Sequence, residues 1–254
     1  MLRKLLKITL IVFASLGLLV LIIMWALDKP IPPATPGPSA EALAQKMAAS
    51  INLKAWDSLH YLAWESDFDG SQIVWDKQLD WVYMSKGDSR YWFDCQSGRG
   101  LADDPHESEM DSSELNSRLA AKRNYFWNDA FWIAAFTKIF DPGVIRKKTE
   151  DPENALLVTY QTGGATPGDT YLWELDSSGR PIAWMVWAKV LPVGGLRFTW
   201  EDWTELPGGA QYAKTHKVAG ITFRTDNVNA GPSLVSIHQD SLLFEPLEKI
   251  MKIP

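Results

Sequence analysis

The sequence predicts an α+β fold, a large antiparallel sheet with covering helices, preceded by one transmembrane helix. Three observations carry this. An uncharged apolar run extends from Ile8 to Leu27. Many short segments rich in aromatic and β-branched residues are separated by Gly, Asp and Ser turns, as in antiparallel meanders. Two helical patterns, 40–52 and 114–140, stand before and between the strand runs. Sheets of roughly eight or more strands tend to curl, so helices can cover the concave face.

The apolar run, ITLIVFASLGLLVLIIMWAL, holds only Thr9 and Ser15 as polar side chains. As a helix it spans roughly 30 Å, the thickness of a bilayer's hydrocarbon core. Arg3, Lys4 and Lys7 precede it and Asp28 follows. Basic residues are retained in the cytoplasm, so the N-terminus is expected inside and the body outside. Trp25 suits the outer interface. A cleaved signal peptide is the rival, but the run is long for one and no Ala-x-Ala site closes it. The expectation is a single-pass bacterial inner-membrane protein. Residues 1–28 form a basic tip and signal anchor, 29–38 a linker, and 39–254 a periplasmic domain.

Composition narrows the function. The net charge is -6, and removing Arg3, Lys4 and Lys7 leaves -9 on the rest. An acidic body argues against nucleic acid as partner. The one cysteine, Cys95, cannot form an internal disulfide and reads as a buried small hydrophobe. Tryptophan is abundant: 13 residues, all but Trp25 beyond the anchor. Such rings can fill a wide core or line a binding face.

Along the chain, Pro30, Pro32, Pro33, Pro36 and Pro38 predict a stiff, extended spacer holding the domain off the membrane. Ser39 can cap a helix over 40–52, with Leu43, Met47 and Ile51 on one face. Strands follow at 56–68, 72–76, 79–85 and 90–94, with turns at Asp69-Gly70 and 86–88. Residues 96–111 read as an acidic loop. Ser112 or Ser113 can cap a helix over 114–127. A second apolar helical segment covers 128–140, with Asn128-Asp129 as a cap between the two, and Asp141-Pro142-Gly143 ends it. Further strands are expected at 155–161, 169–176, 181–191, 196–203, 218–225 and 233–239. In the last clear alternation Leu196, Phe198 and Trp200 share one face, while Arg197, Thr199 and Glu201 share the other. Along 182–188 both faces are apolar, Ile182, Trp184 and Val186 opposite Ala183, Met185 and Trp187, as in a central strand covered on both sides.

Motifs for chemistry are sparse. No phosphate loop, nucleophile elbow, His-x-x-x-His or Cys-x-x-Cys occurs, and the four histidines are scattered at 60, 106, 216 and 238. Glu65, Asp67 and Asp69 alternate as if on one strand, a spacing open to glycoside hydrolysis or to a solvated face. The reading calls for no catalytic residue, no metal and no cofactor.

The helix Ala40–Asn52, HYLAWESDFDG, QIVWDKQLDWVYM, FWNDAFWIAAFTKIFDPG and YLWELDSSGRPIAWMVW, taken in order, resemble the LolA/LolB-like superfamily of periplasmic lipoprotein carriers and lipid-binding domains. The resemblance spans about 40–240. It implies a half-open β-barrel with helices as a lid over an apolar cavity. A lipid, acyl chain or acylated protein is then the ligand, bound without catalysis. Candidate lining residues are Tyr171, Trp173, Trp184, Trp187, Phe198 and Trp200 from the sheet, with Phe131, Trp132 and Phe136 from the lid. The tethering helix departs from the soluble or lipid-anchored carriers. A carbohydrate- or cell-wall-binding module and an envelope assembly scaffold stand as alternatives.

Overall fold

The computed structural model describes residues 2–105, 111–162 and 166–252. The histidine at 106, with the rest of 106–110 in the expected acidic loop, and the Gly163-Gly164 turn lie outside them. The first helix, α1, runs Leu2–Leu27. Its side chains at 2–8, 10–12, 14, 20 and 21 also lie outside the described residues. Among the described residues no helix is long and apolar enough to cross a membrane. The membrane assignment therefore rests on the sequence.

A two-residue strand follows, β1 (Ala34–Thr35), and then α2 (Pro38–Ser50), started by Pro38 after Gly37. Its buried stripe is Ala40, Ala44 and Met47, continued by Ile51. Asn52, at φ 54°, turns the chain into α3 (Leu53–Ser58). Residues 56–58 are thus helical rather than the start of a strand. The reason is tertiary: the Trp56 indole N–H donates to the Gln211 carbonyl at 2.9 Å, and that ring is wholly buried.

A meander comes next: β2 (Tyr61–Glu65), β3 (Gln72–Asp76), β4 (Trp81–Lys86), β5 (Ser89–Asp94) and β6 (Gly100–Asp103). β6 falls in what the sequence predicts to be loop. The long helix α4 (Ser112–Ala134) then crosses the molecule, capped by Asp111, whose side chain accepts from Ser113 and Glu114 N–H groups. It continues through Asn128-Asp129, expected to be a break, and ends in a 3₁₀ turn over Ala135–Lys138. The second strand run is β7 (Val144–Thr149), β8 (Ala155–Tyr160), β9 (Thr170–Leu175), β10 (Pro181–Trp187) and β11 (Leu196–Thr199). It goes on through β12 (Glu201–Glu205), β13 (Gln211–Val218), β14 (Ile221–Arg224) and β15 (Asn229–Gly231), and α5 (Glu245–Met251) closes the order. β7 and most of β13 escape the sequence patterns because Arg, Lys and His interrupt their apolar alternation. The strand expected over 233–239 holds a 3₁₀ turn, Val235–Ile237.

Among the described residues the strands form three antiparallel sheets rather than one. Their orders are β1-β7-β8-β9-β10-β11, β12-β13-β14 and β15-β2-β3-β4-β5-β6. The strand expected over 196–203 is broken at Trp200, and Asp202 has φ 55°, a left-handed backbone that bends the chain into the next sheet. Side chains bridge the gaps. His216 Nδ1 lies 3.0 Å from the Thr199 carbonyl, and the Asp67 carboxylate accepts the Arg224 N–H at 2.9 Å. The sheets do not close. One core joins α2, α3 and α4 to the inner faces of all three.

The proline-rich segment is not a free spacer. The Gly194 N–H donates to Asp28 Oδ1 at 2.7 Å, the Lys29 N–H to the Gly194 carbonyl at 3.1 Å, and the Trp187 indole N–H to the Lys29 carbonyl at 2.6 Å. β1 then pairs with β7, Ala34 opposite Thr149. Ala34 and Trp187 pack with Leu157 and Leu172 on the outer face of the first sheet. The end of α1 is thereby pinned to the 188–195 loop. A Cβ at Gly194 would come within 2.4 Å of the Trp187 ring. Gly194→Ala is therefore expected to loosen this fastening at a cost of about 1–3 kcal/mol. Amide hydrogen exchange at Lys29 and Trp187's indole should accelerate; unchanged protection would show that the fastening does not hold the segment.

Candidate functional site

α4 lies between two open grooves of about 330 Å³ each. A helix presents residues three and four apart on one side. Phe126, Trp127, Ala130 and Ala134 face the first groove, and Tyr125, Asp129 and Trp132 face the second. Asn128, Phe131 and Tyr171 border both. Phe131 is the divider, its ring centroid 5.4 Å from Tyr160, 5.1 Å from Tyr171 and 5.8 Å from Trp184.

The first groove has an aromatic floor and a charged rim that includes Asp80, Lys138, Asp141 and Asp169. The second is more apolar. Val186, Val190, Leu191 and Phe198 oppose the helix, and Phe68 and Val190 stand exposed at its edge. Its polar side chains include Tyr125, Asn128 and Asp129 from α4 and Tyr171 from β9.

Asp129 explains why the helix is not broken there. The carboxylate is 5 % exposed and accepts the Trp64 indole N–H at 2.6 Å and the Ser66 hydroxyl at 2.7 Å. The Ser66 hydroxyl also lies 2.7 Å from the Tyr125 hydroxyl, which donates to Asp69 at 2.7 Å. Burial raises the Asp129 pKa. The bonds from Trp64 and Ser66 oppose this, while the charges of Asp69 and Asp67 add to it. Burial acts the same way on Asp69, but hydrogen bonds from Tyr125 and Ser71, with nearby Lys86, outweigh it and bring that pKa to about 2.

The predicted lining residues divide into three sets. Phe131, Trp132, Tyr171, Trp184 and Phe198 border the grooves. Trp173, Trp200 and Phe136 lie beneath them as closed core, 0 %, 2 % and 0 % exposed. Trp187 sits on the opposite face of its sheet, against Lys29. Strand periodicity gives the reason: Trp184 and Trp187 are three residues apart, so they cannot share a face. A register irregularity between Pro181 and Ala183 likewise leaves Ile182 44 % exposed instead of beside Trp184. Tyr125, Asn128 and Asp129 were not among the expected lining residues. Treating 114–134 as one helix would have put Tyr125, Asn128, Asp129 and Trp132 on one side, since they stand three and four residues apart.

Three indoles, Trp173, Trp184 and Trp200, form a mutual cluster with ring centroids 4.8–5.1 Å apart. Among the described residues their N–H groups have no hydrogen-bond acceptor, nor does His216 Nε2 have a partner. The Trp184–Trp200 and Trp200–His216 pairs meet nearly edge to face, at 79° and 81°, the arrangement in which a ring edge finds a π face. Of the three indoles only Trp184 lines a groove.

The acidic residues at 65, 67 and 69 do not alternate along one strand. The strand ends at Glu65, which accepts from Gln72, whereas Asp67 and Asp69 lie in the turn and bond to Arg224 N–H and to Tyr125. Among the described residues no group of three or more His, Cys, Asp and Glu could hold a metal ion. Cys95 is buried, and burial together with Asp80 and Asp94 pushes its thiol pKa up, away from the reactive thiolate.

No family model matches the chain, and no curated protein matches it.

Proposed function

We propose that this is a membrane-tethered, non-enzymatic binding protein for a hydrophobic ligand, held at the outer face of the bacterial inner membrane by Ile8–Leu27. The observation that carries the reading is the pair of grooves flanking α4, walled by aromatic and aliphatic side chains and divided by Phe131. Apolar concave sites with a few convergent polar groups are where greasy ligands bind, at about 25 cal/mol per Å² buried. The open, helix-covered sheets fit the LolA/LolB-like half-barrel that the sequence pattern suggests. Pinning Asp28 and Lys29 to Gly194 keeps the 188–195 loop at the end of α1. Val190 and Leu191 of that loop line the second groove, so its mouth would stand at the membrane surface.

The burial of the tryptophans favours this over a sugar-binding platform. None of the twelve beyond Trp25 is exposed, whereas stacking on sugar rings needs open indole faces.

Native mass spectrometry of residues 28–254, purified gently from the host envelope, tests the proposal. The fragment must include Asp28 and Lys29, because β1 and its fastening belong to the domain. A co-purifying mass that organic extraction removes, and that proves to be lipid or acylated peptide, is the expected result. An apo mass unchanged after incubation with lipids would overturn it and leave a protein-binding scaffold.

A further inference from the structure

We propose that the second groove selects a single-chain amphiphile whose head is uncharged or cationic and donates hydrogen bonds, and rejects anionic heads. The inference rests on the hydrophobic-ligand reading and adds the head-group class.

The groove's wall supplies the argument. Val186, Val190, Leu191 and Phe198 offer only carbon to a ligand, which suits an alkyl chain. The polar groups are Tyr125, Asn128 and Asp129 on α4 and Tyr171 on β9; Tyr125 and Asp129, one helical turn apart, are tied to the turn after β2 through Ser66 and Asp69. Among the described residues no Lys or Arg lines this groove. The cation bonded to this network is Lys86, 3.4 Å from Asp69, with its side chain 56 % exposed. An anionic head entering here would meet Asp129 without a counter-charge, and like charges at short range disfavour each other strongly in a water-poor site.

A donor head finds the opposite. Each Asp129 oxygen accepts one hydrogen bond, from Trp64 or from Ser66, and each keeps a second lone pair. A second, independent feature borders the same groove. Trp184 is 1 % exposed and its indole N–H has no acceptor among the described residues. A head with free hydroxyls, such as a glycerol ester, carries both a donor for the carboxylate and an acceptor for the indole; a sulfonate or phosphate carries acceptors and charge.

The test uses the full chain in phospholipid nanodiscs and three photoreactive probes with the same long alkyl chain. One bears a glycerol ester head, one a sulfonate and one no head. Peptide mass spectrometry locates the labels. The glycerol ester is expected to label the groove-lining peptides at least about tenfold more than the sulfonate, the ratio that 1.4 kcal/mol produces. In Asp129→Asn that ratio should fall to about threefold or less. Equal or greater labelling by the sulfonate in the native chain overturns the head-group proposal. If the headless probe still labels the groove in that case, the hydrophobic-ligand reading survives alone. If no probe labels it, both fall.

Discussion

Replacing Trp200 with alanine should cost about 3–5 kcal/mol of stability, the range for emptying a buried large aromatic site. Trp200 sits at the break between β11 and β12 and is 2 % exposed. Its ring lies 5.5 Å from Phe136, 5.1 Å from Trp173, 5.0 Å from Trp184 and 4.7 Å from His216. Removing it takes one side from each of those contacts at once, and flat rings held from several sides cannot slide together to fill the space. It also loosens the point where two sheets meet. Trp187→Ala is the comparison. That ring is only half-buried, on the outer face, and its loss should cost less. Chemical denaturation of the full chain in detergent micelles, followed by tryptophan emission, measures both. A loss below about 1 kcal/mol at Trp200 would contradict a closed aromatic cluster.

Acid should destabilise the domain through His216. The residue is fully buried, and desolvation lowers its pKa to about 4 from an ordinary 6.5, although bonding to the Thr199 backbone favours the charged form. The unfolded chain takes up the proton near pH 6.5 and the folded chain only near 4. Between those values the unfolded state binds more protons, so stability falls as the pH drops and levels off below the folded pKa. Above pH 6.5 the histidine is neutral in both states and contributes no slope. The loss amounts to about 3 kcal/mol, on the order of 1.4 kcal/mol per pH unit. In His216→Phe, which keeps a flat ring beside Phe223, the stability–pH slope in this window should shrink by close to one proton. An unchanged slope would assign the acid sensitivity elsewhere. Asp69 acts in a lower window: with its pKa at about 2 instead of 3.8, its contribution is lost as pH falls from 3.8 toward 2.

Much of the local structure was legible because it depends on neighbours in sequence. β3 matches its expected bounds, and β4 and β5 differ by one or two residues, because alternation and the turns around Gly70 and Gly87 fix where a hairpin bends. The 40–52 helix follows from its apolar stripe. Five of the nine expected lining residues border the grooves because a period of two on strands and about four on helices sorts faces locally.

What the sequence by itself determined is the apolar run with its flanking charges, the helix–strand–helix–strand order and the small set of aromatic positions from which a site could be built. Tertiary structure decided the rest. α4 passes through Asn128-Asp129 because Trp64 and Ser66, more than sixty residues earlier, donate to that carboxylate. The proline-rich segment is fastened because Gly194 and Trp187 receive it, and the sheet divides at Trp200 because Asp202 bends the backbone. Trp173 and Trp200 became floor rather than lining because Phe136 and their neighbouring indoles close over them. The physical reason is common to all four. A buried polar group or a large ring settles only against a partner, and these partners are brought near by the fold, not by the order of residues.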